Sequence, residues 1–465
     1  MRFAVREISF FERDVRLRMP FRFGSATLTQ APQAFVRARI RLENGKESEG
    51  AAAELLAPKW FDKDPQLTNE ENFEQLRASL RIARDAYLGG GENSAFGHWI
   101  ENYGPQIAIA ATQGLSPLVA AYGPALIDRA LLDALCRALG VSFYAAIEKN
   151  LPGIAAPAWQ EDLGQFDMDE FLSGLKPAAE IAARHTVGLL DPLTAVEKKL
   201  DDGLPETLEE VIARYGHRWF KLKLSGDAKA DVERLSAIAA VLDRSERPYQ
   251  ASLDGNEQFK DAESVLELWR QLKAAPRLKR LLSSVAFIEQ PVARQNALSS
   301  DISELAEDRP LIIDESDDSL EAFPRARRLG YTGVSSKTCK GLYKSVLNRA
   351  RCRLWNREER SERYFMSGED LTLQAGLAVQ QDLALASVLG LSHVERNGHH
   401  YVDGMAGLPA AEQEAFLRAH PDLYERSHGA VRVHIEDGTL RIGSLACAGF
   451  ASGAMPDWSA MKAAP

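Results

Sequence analysis

The chain has 465 residues, of which 45% are hydrophobic, so it is long enough for one large domain and a smaller one. Its formal net charge is −10, and Lys and Arg form no long run, which argues against a nucleic-acid-binding protein. The four cysteines are widely spaced and predict neither a disulfide framework nor a zinc site. Because the N-terminus lacks an apolar signal region and no run of about 18 apolar residues occurs, we expect a cytoplasmic enzyme that does not span a membrane.

Residues 1–150 are predicted to form a small α+β domain with its strands first and its helices after them. Apolar and polar residues alternate in FVRARIRLENG, which predicts a half-buried antiparallel strand that ends at an Asn-Gly turn. Thr68 followed by Glu71 forms a capping box and predicts the start of a helix. GPALIDRALLDALCRALG predicts a second amphipathic helix, which ends at Gly140.

The segment 185–405 has a different pattern, because short β-branched or aromatic runs alternate there with helical patterns. Eight such runs predict a barrel of strand–helix units. An open doubly wound sheet is the alternative, but it usually has fewer units and a GxGxxG turn after its first strand, which this sequence lacks. The predicted strands are HTVGLL, RWFKLKL, YQASLD, VAFIEQ, PLIIDE, YTGVSSK, RYFMSGE and LSHVER.

Two further segments flank the predicted barrel. Residues 151–184 are expected to be an extra connecting segment before the first barrel strand. Residues 406–465 contain a hairpin signal at Asp437-Gly438, and we expect this C-terminal segment to return to the N-terminal domain and add strands to it.

Carboxylates follow three consecutive apolar runs of the predicted barrel. Asp254, Glu289 and Asp314 end the third, fourth and fifth strands, and the carboxyl ends of barrel strands line the active site. Three converging carboxylates would repel one another and would be poorly solvated unless a hard divalent cation neutralised them. Mg²⁺ is the simplest candidate.

Two lysines lie one residue apart on the second predicted strand. Lys221 and Lys223 share a face of the strand because side chains alternate with period two. Two ammonium groups held close together are expected to lower the pKa of one of them, which makes that lysine a candidate general base. Lys337, from the sixth strand, would approach a bound substrate from the other side. The alternative is that the lysine pair faces outward into solvent.

This arrangement suits removal of a proton from the carbon next to a carboxylate. A bound cation would stabilise the negative charge that develops there, and the lysines would transfer the proton. General-base positioning alone contributes roughly 10²–10⁴-fold, so the carboxylates and the lysines are expected to act together.

These strand ends resemble those of the enolase superfamily, and specifically its muconate lactonizing enzyme subgroup. The similar stretches are KLK, DGN, IEQP, IDES and SSKTCKG on strands two to six. MPFRFGSATLT is similar to the family's mobile capping loop, ALIDRALLDALCRALG to its helix before the barrel, and DGTLRIGSL to its returning C-terminal segment.

The resemblance implies an α/β fold, a modified TIM barrel of the (β/α)7β type, with an α+β capping domain made from the N-terminal segment and the C-terminal tail. It also implies one Mg²⁺, or Mn²⁺, held by Asp254, Glu289 and Asp314, with Lys223 and Lys337 as the acid/base pair. In the family pattern the first lysine of the KLK stretch, Lys221, assists catalysis. The near-metal or substrate-facing groups implied are Asn256 and Glu315.

Three departures from the family pattern concern the substrate. Glu257 places an extra acid beside the metal site, and Leu342 replaces a glycine after the strand-six lysine. The Asp-x-Asp with which dipeptide epimerases hold an ammonium group is absent from strand eight. Three acidic residues near the ends of strands seven and eight remain candidates for a substrate contact: Glu369, Asp370 and Glu395.

The adjacent His399 and His400 are the one histidine pair that suggests metal ligands. His399 and His400 are adjacent, so their side chains project differently, and a surface loop or a substrate-facing turn is expected there. His185 and His393 lie in apolar strands and are expected to be core or rim residues.

The predicted function is α-proton abstraction from a small carboxylate substrate, with racemisation, epimerisation or cycloisomerisation as the leading reactions. An acid-sugar dehydratase or another lyase on the same scaffold is the alternative. Two further hypotheses assign the chain to other functional classes. One is a metal-free Schiff-base enzyme that uses Lys337, and the other is a non-catalytic scaffold stabilised by a metal. We also expect a homo-oligomer that binds neither nucleic acid nor membrane.

Overall fold

The computed structural model describes residues 1–23 and 26–464. Gly24 and Ser25 of the predicted capping loop lie outside the described residues. The strands are β1 (Phe3–Phe23), β2 (Ala26–Leu42), β3 (Glu47–Leu55), β4 (Glu180–Val187), β5 (Trp219–Lys223), β6 (Gln250–Asp254), β7 (Val285–Glu289), β8 (Leu311–Ile313), β9 (Gly333–Ser336), β10 (Phe365–Gly368), β11 (His393–Glu395), β12 (Tyr424–Ser427), β13 (Ala430–Val433), β14 (Thr439–Arg441) and β15 (Lys462–Ala464).

The helices lie mostly between these strands. Among those of the described residues, none has the length and apolar character that a transmembrane segment needs. The helices are α1 (Asn69–Gly89), α2 (Ala95–Thr112), α3 (Pro117–Leu139), α4 (Phe143–Glu148), α5 (Met168–Ser173), α6 (Leu208–Tyr215), α7 (Ala228–Leu242), α8 (Ala262–Ala274), α9 (Lys279–Ser284), α10 (Arg294–Ala297), α11 (Ser303–Asp308), α12 (Ala322–Arg328), α13 (Leu342–Glu359), α14 (Leu377–Val388), α15 (Gly398–Tyr401) and α16 (Ala410–Ala419).

The N-terminal part is an antiparallel sheet in the order β15-β1-β2-β3, packed against helices. On β2, Val36, Ala38 and Ile40 are fully buried, as the sequence alternation predicts. The buried helix α3 packs so closely on β3 that a Cβ at Gly50 would lie 2.2 Å from the backbone nitrogen of Ala134. Glycine at this position therefore permits the helix to approach the sheet.

The helix signals of this part are confirmed. Thr68 and Glu71 form both hydrogen bonds of a capping box at the start of α1. Helix α3 ends at Gly140, whose φ of 65° places it in the left-handed region. The helix begins earlier than predicted, at Pro117, because Ser116 caps it through the Val119 amide.

Strands β4 to β11 form a closed parallel barrel, since each pairs with the next and β11 pairs with β4. Helical connections link each successive pair, so the predicted (β/α)7β fold class is confirmed. Strand β4 begins at Glu180, five residues before the predicted strand at His185. The sequence EIAAR has little β-branched character, and its strand conformation is stabilised by pairing with neighbouring strands.

The C-terminal segment differs from the expectation. Strand β14 joins the barrel rather than the N-terminal sheet, because Thr439 pairs with Ala182 on β4. The first residues of β4 extend beyond its pairing with β5, and β14 satisfies their backbone hydrogen-bonding groups. The tight turn at Asp437-Gly438 is present, with φ of 51° and 72°. Strand β15 is the part of the tail that returns to the N-terminal sheet, beside β1.

The segment between α4 and β4 packs on the outside of the barrel. The buried side chain of Arg351 on α13 donates to Asp162 at 2.8 Å and also to Gln160. Leu163 and Leu172 are buried in the core. These contacts place the residues around 160 against the outer helix α13.

Candidate active site

Five neighbouring barrel strands present a row of charged side chains in the order Lys, Asp, Glu, Asp, Lys. Lys223, Asp254 and Glu289 are the last residues of β5, β6 and β7, and they are register partners across the sheet. Asp314 directly follows β8, and Lys337 directly follows β9. All five side chains are at most 5% exposed. The strand ends therefore bring together the residues that the sequence pattern selected.

Each terminal lysine of the row binds the carboxylate next to it. Lys223 Nζ lies 2.5 Å from Asp254 Oδ2 and donates to Asn256 Oδ1 at 2.7 Å. At the other end, Lys337 Nζ lies 2.6 Å from Asp314 Oδ2. The two ammonium groups thus lie at opposite ends of the carboxylate row.

Lys221 lies among four carboxylates. Its Nζ is 2.9 Å from Asp254 Oδ2, 2.8 Å from Glu289 Oε2, 2.7 Å from Glu369 Oε2 and 3.0 Å from Glu395 Oε2. The alternative, in which the lysine pair faces outward into solvent, is therefore wrong, and the expectation that both lysines face the barrel mouth is confirmed.

The lowering of a pKa that was predicted within the Lys221 and Lys223 pair is not found at Lys221. Burial favours the neutral amine, but the four carboxylates around Lys221 outweigh it and raise its pKa well above the ordinary value. Burial also favours the neutral form of Lys337, but Asp314, Glu289 and Glu315 together outweigh it and raise the pKa of this lysine. Lys221 and Lys223 both contact Asp254 Oδ2, so a carboxylate offsets the repulsion between the two ammonium groups.

Glu289 in the middle of the row is incompletely compensated. Burial raises its pKa well above the ordinary value, and the neighbouring Asp254 and Glu369 raise it further. Its Oε2 lies near Lys221 but makes no hydrogen bond of acceptable geometry, and Oε2 of the buried Glu315 also lacks a hydrogen-bond partner. A buried carboxylate oxygen without a hydrogen-bond partner destabilises the folded chain, so these two oxygens are available to bind a cation.

The donor set fits a hard cation, because Mg²⁺ prefers carboxylate oxygens. The carboxylates of Asp254, Glu289 and Asp314 lie farther apart than the ligands around a bound metal ion do. In the part of the chain that the structure describes, the only group of three acidic, His or Cys ligands within 4.8 Å of one another consists of histidines elsewhere. Between Asp254 and Glu289 lies the ammonium of Lys221, which supplies the positive charge there.

The acidic residues of strands seven and eight fall into two groups. Glu369 and Glu395 contact Lys221, and Glu369 also binds Arg184. Asp370 instead pairs with the buried Arg396 at 2.8 Å. Glu369 and Glu395 therefore belong to the charged cluster at the barrel mouth, whereas Asp370 belongs to a separate ion pair.

The loop after β3 covers the barrel mouth. Lys63 Nζ lies 2.5 Å from Glu257 Oε2 and 3.4 Å from Glu315 Oε1, and Arg294 donates to Glu257 and to the Phe61 carbonyl. Glu257, the acid that departs from the family pattern, therefore pairs with Lys63 and Arg294. These ion pairs hold the loop after β3, which we call the cap, against the barrel mouth. Sequence reasoning missed Lys63 and Arg294 because their roles depend on how the two parts pack.

Two further residues contact the row from close by. The Trp60 ring lies 4.2 Å from Lys337 Nζ, so it forms a wall beside this lysine. Lys340, which sequence reasoning also missed, lies 3.4 Å from Asp314 and donates to Ser335 at 2.7 Å. Its position three residues after Lys337, in one turn of 3₁₀ helix, was a usable signal because such spacing puts both side chains on one side.

Residues 203–344 match the family model described as enolase C-terminal domain-like. The resemblance to the enolase superfamily is confirmed. The matched segment contains the whole Lys, Asp, Glu, Asp, Lys row as well as Lys221. None of the curated proteins is a detectable relative of the chain.

Solved structures share the fold of this chain at low sequence identity. The 2-chloromuconate cycloisomerase from Rhodococcus opacus 1CP is 16% identical, with a TM-score of 0.58 and 98% of each chain covered. The dipeptide epimerase from Cytophaga hutchinsonii, complexed with Mg and D-Ala-L-Val, is 15% identical, with a TM-score of 0.61 over 100% of this chain and 99% of the epimerase. The N-succinyl Arg/Lys racemase from Bacillus cereus ATCC 14579 is 18% identical, with a TM-score of 0.54 over 86% of this chain and 88% of the racemase.

Proposed function

We propose that this chain is a Mg²⁺-dependent isomerase that removes the α-proton of a carboxylate substrate, as a racemase, an epimerase or a cycloisomerase. The observation that carries the proposal is the placement of Lys223 and Lys337 at opposite ends of one carboxylate row. Two amines on two sides of one substrate carbon are what proton removal from one face and return to the other require. The cycloisomerase, epimerase and racemase of the same fold are consistent with this reaction class.

Asp254, Glu289 and Asp314 would hold the cation. They come from three adjacent strands, and Glu289 has a buried oxygen without a hydrogen bond. When bound, the cation supplies positive charge beside the substrate carboxylate, which lowers the cost of the charge that develops on deprotonation.

The protein's own groups transfer the proton. One lysine, as the neutral amine, takes the α-proton, and the electron pair of the C–H bond moves onto the carbon and its carboxylate. The other lysine, as the ammonium, gives a proton to the opposite face, so that protons and charge balance over a turnover. Lys223 and Lys337 exchange these two roles for the two stereoisomers of a racemase substrate, and a cation on Asp314 would offset the carboxylate charge that raises the pKa of Lys337.

The residues around the row exclude water from this step. Trp60 lies against Lys337, and Lys63 and Arg294 hold the cap over the mouth. A closed, desolvated site strengthens the electrostatic interactions within it. Because the row is buried in this structure, we propose that the loop after β3 moves to admit the substrate.

The test is deuterium exchange at the α-carbon in D₂O with Mg²⁺, over a panel of racemic acids, acylated amino acids and sugar acids. A substrate should exchange with the wild-type chain. Lys223→Ala should abolish exchange of one stereoisomer, and Lys337→Ala should abolish exchange of the other. Lys273→Ala, on the outer helix α8, is the matched control and should exchange at the wild-type rate.

The reaction products distinguish the isomerase from the alternative functions. Inversion or ring formation without loss of a group supports the isomerase, whereas loss of water from a sugar acid identifies a dehydratase. If Mg²⁺ binds but no acid in the panel exchanges, the chain is a metal-stabilised scaffold and the proposed activity is wrong. Borohydride trapping at Lys337 would indicate a Schiff-base enzyme instead.

A further inference from the structure

Three histidines from distant parts of the chain form a buried cluster behind the barrel wall. His185 lies on β4, His217 two residues before β5, and His399 on α15. One ring nitrogen of each lies within 4.8 Å of one from each of the other two, and all three side chains are buried. The expectation of a surface loop or a substrate-facing turn at His399 is therefore wrong. The cluster is separate from the carboxylate row, which faces the inside of the barrel.

The distances suit a tetrahedral metal ion. His399 Nε2 lies 3.2 Å from His185 Nδ1 and 3.2 Å from His217 Nε2. Nitrogens bound to zinc at about 2.0–2.1 Å in a tetrahedral arrangement are separated by about 3.3 Å. The two separations that involve His399 match that edge within about 0.1 Å, and the nitrogens of His185 and His217 lie within 4.8 Å of each other.

The rings cannot fully satisfy one another by hydrogen bonds. His217 Nδ1 lies 2.9 Å from the Ala183 carbonyl, which only accepts, so this nitrogen carries the proton and Nε2 presents a lone pair. His399 Nε2 faces that lone pair and also His185 Nδ1. One proton on His399 would have to be shared between two acceptors, and a proton on His185 would leave two lone pairs facing each other. A metal ion accepts all three lone pairs.

The hydrogen bond that His217 makes to the Ala183 carbonyl is of a kind typical of metal-binding histidines. A ligating histidine usually donates its other N–H to a carbonyl or carboxylate, which fixes the tautomer and the ring orientation. The bond from His217 to Ala183 supplies this interaction. His399 Nδ1 makes no hydrogen bond within the described protein, so nothing there dictates which nitrogen of this ring carries the proton.

The surroundings favour neutral rings. All three side chains are buried, and burial disfavours the charged form of an imidazole. Arg18 approaches from β1, but Asp202 binds its guanidinium at 2.6 Å and 2.9 Å. Neutral imidazoles with free lone pairs are the form that binds a transition metal.

Two surface depressions each include one histidine of the cluster in their lining. One is lined by Gly216, His217 and Tyr249, and the other by Arg396, His399 and Arg432. A metal site requires an entry path, and the proposed ion would enter from one of these depressions. Three protein nitrogens leave the fourth position of a tetrahedral ion to water.

We infer that His185, His217 and His399 form a second metal site, which binds a Zn²⁺-class transition metal and fastens strand β4, the start of β5 and helix α15 to one another. This site is distinct from the proposed oxygen-ligand site at the barrel mouth. The site takes no part in the proposed isomerase reaction, because none of the three rings contacts the carboxylate row.

The experiment uses the full chain, purified without metal-affinity chromatography and treated with a chelator. Co²⁺ is titrated in excess Mg²⁺, which occupies the oxygen site. One equivalent should give the intense visible absorption of four-coordinate Co²⁺, and Zn²⁺ should displace it and raise the melting temperature. His217→Gln and His399→Gln should lose the absorption and the thermal shift, whereas the exposed His428→Gln should keep both.

A wild-type chain with no such absorption would overturn the inference, as would equal loss in the His428 control. If the cluster variants do not fold, X-ray absorption at the zinc edge of the wild-type chain decides. Nitrogen neighbours that fit three imidazoles at about 2.0–2.1 Å support the site, and a six-coordinate oxygen shell contradicts it. Because neither readout uses enzyme activity, the outcome is independent of the proposed isomerase function.

Discussion

Lys221 Nζ and Glu289 Oε2 lie 2.8 Å apart in the buried mouth of the barrel, where the lysine is the cation nearest to the middle carboxylate of the row. The same ammonium contacts Asp254, Glu369 and Glu395. Its charge therefore stabilises the part of the site where we propose that a divalent cation binds. This relationship connects the stability of the fold to metal binding.

Replacing Lys221 by Met should destabilise the chain strongly when no metal is present. Removing one partner of a buried ion pair costs about 3–5 kcal/mol, because the other charges stay buried without compensation. Added Mg²⁺ should restore part of this loss. The measurement is urea unfolding with and without Mg²⁺. Lys273→Met is the control, and a Lys221→Met chain as stable as this control without metal would contradict the prediction.

Glu289→Gln should weaken Mg²⁺ binding more than it weakens folding. The substitution removes a charged oxygen from the row but keeps the size of the side chain. We expect the affinity to fall by at least the roughly 10–100-fold that loss of an outer partner of a metal ligand costs. Calorimetric titration with Mg²⁺ measures this, with the exposed Glu263→Gln as the matched control. An unchanged affinity would place the metal elsewhere.

Lys63→Met should loosen the cap over the barrel mouth. Lys63 contacts both Glu257 and Glu315, so its loss leaves two buried carboxylates with less compensation. Amide hydrogen exchange of residues 57–67 should become faster, while exchange in the barrel strands stays slow. The exposed Lys149→Met is the control. Equal exchange in both variants would show that this ion pair does not hold the cap.

The buried Glu54 should make stability depend on pH. Burial raises its pKa from 4.5 to about 7, although Arg129 at 3.1 Å opposes the shift. A raised carboxyl pKa means that the folded chain binds the proton more tightly than the unfolded chain. The stabilisation is therefore fully present below pH 4.5 and is lost as the pH rises towards about 7.

Glu54→Gln should remove this contribution, so the free energy of unfolding should fall less steeply between pH 4.5 and about 7 than in the wild-type chain. The slope is the informative quantity, because the substitution also changes the pairing of Arg129. Urea unfolding across this range measures it. Glu49→Gln, at an exposed position of the same strand, should keep the wild-type slope.

The sequence by itself determined the barrel and the row of reactive residues. Asp254, Glu289 and Asp314 each follow an apolar run, and the carboxyl ends of parallel strands meet at one end of a barrel whatever else the chain does. The period-two alternation likewise predicted that Lys221 and Lys223 share a face. These are local signals, so they could be read without knowing the packing.

Tertiary structure alone decided the contacts between distant segments. The four partners of Lys221, the closure of the cap by Lys63, and the barrel position of β14 all join residues far apart in the chain. The histidine cluster is the clearest case, because His185, His217 and His399 lie in separate elements and no spacing in the sequence relates them. Long-range packing brings such groups together, and the local periodicity of the sequence does not predict contacts of this kind.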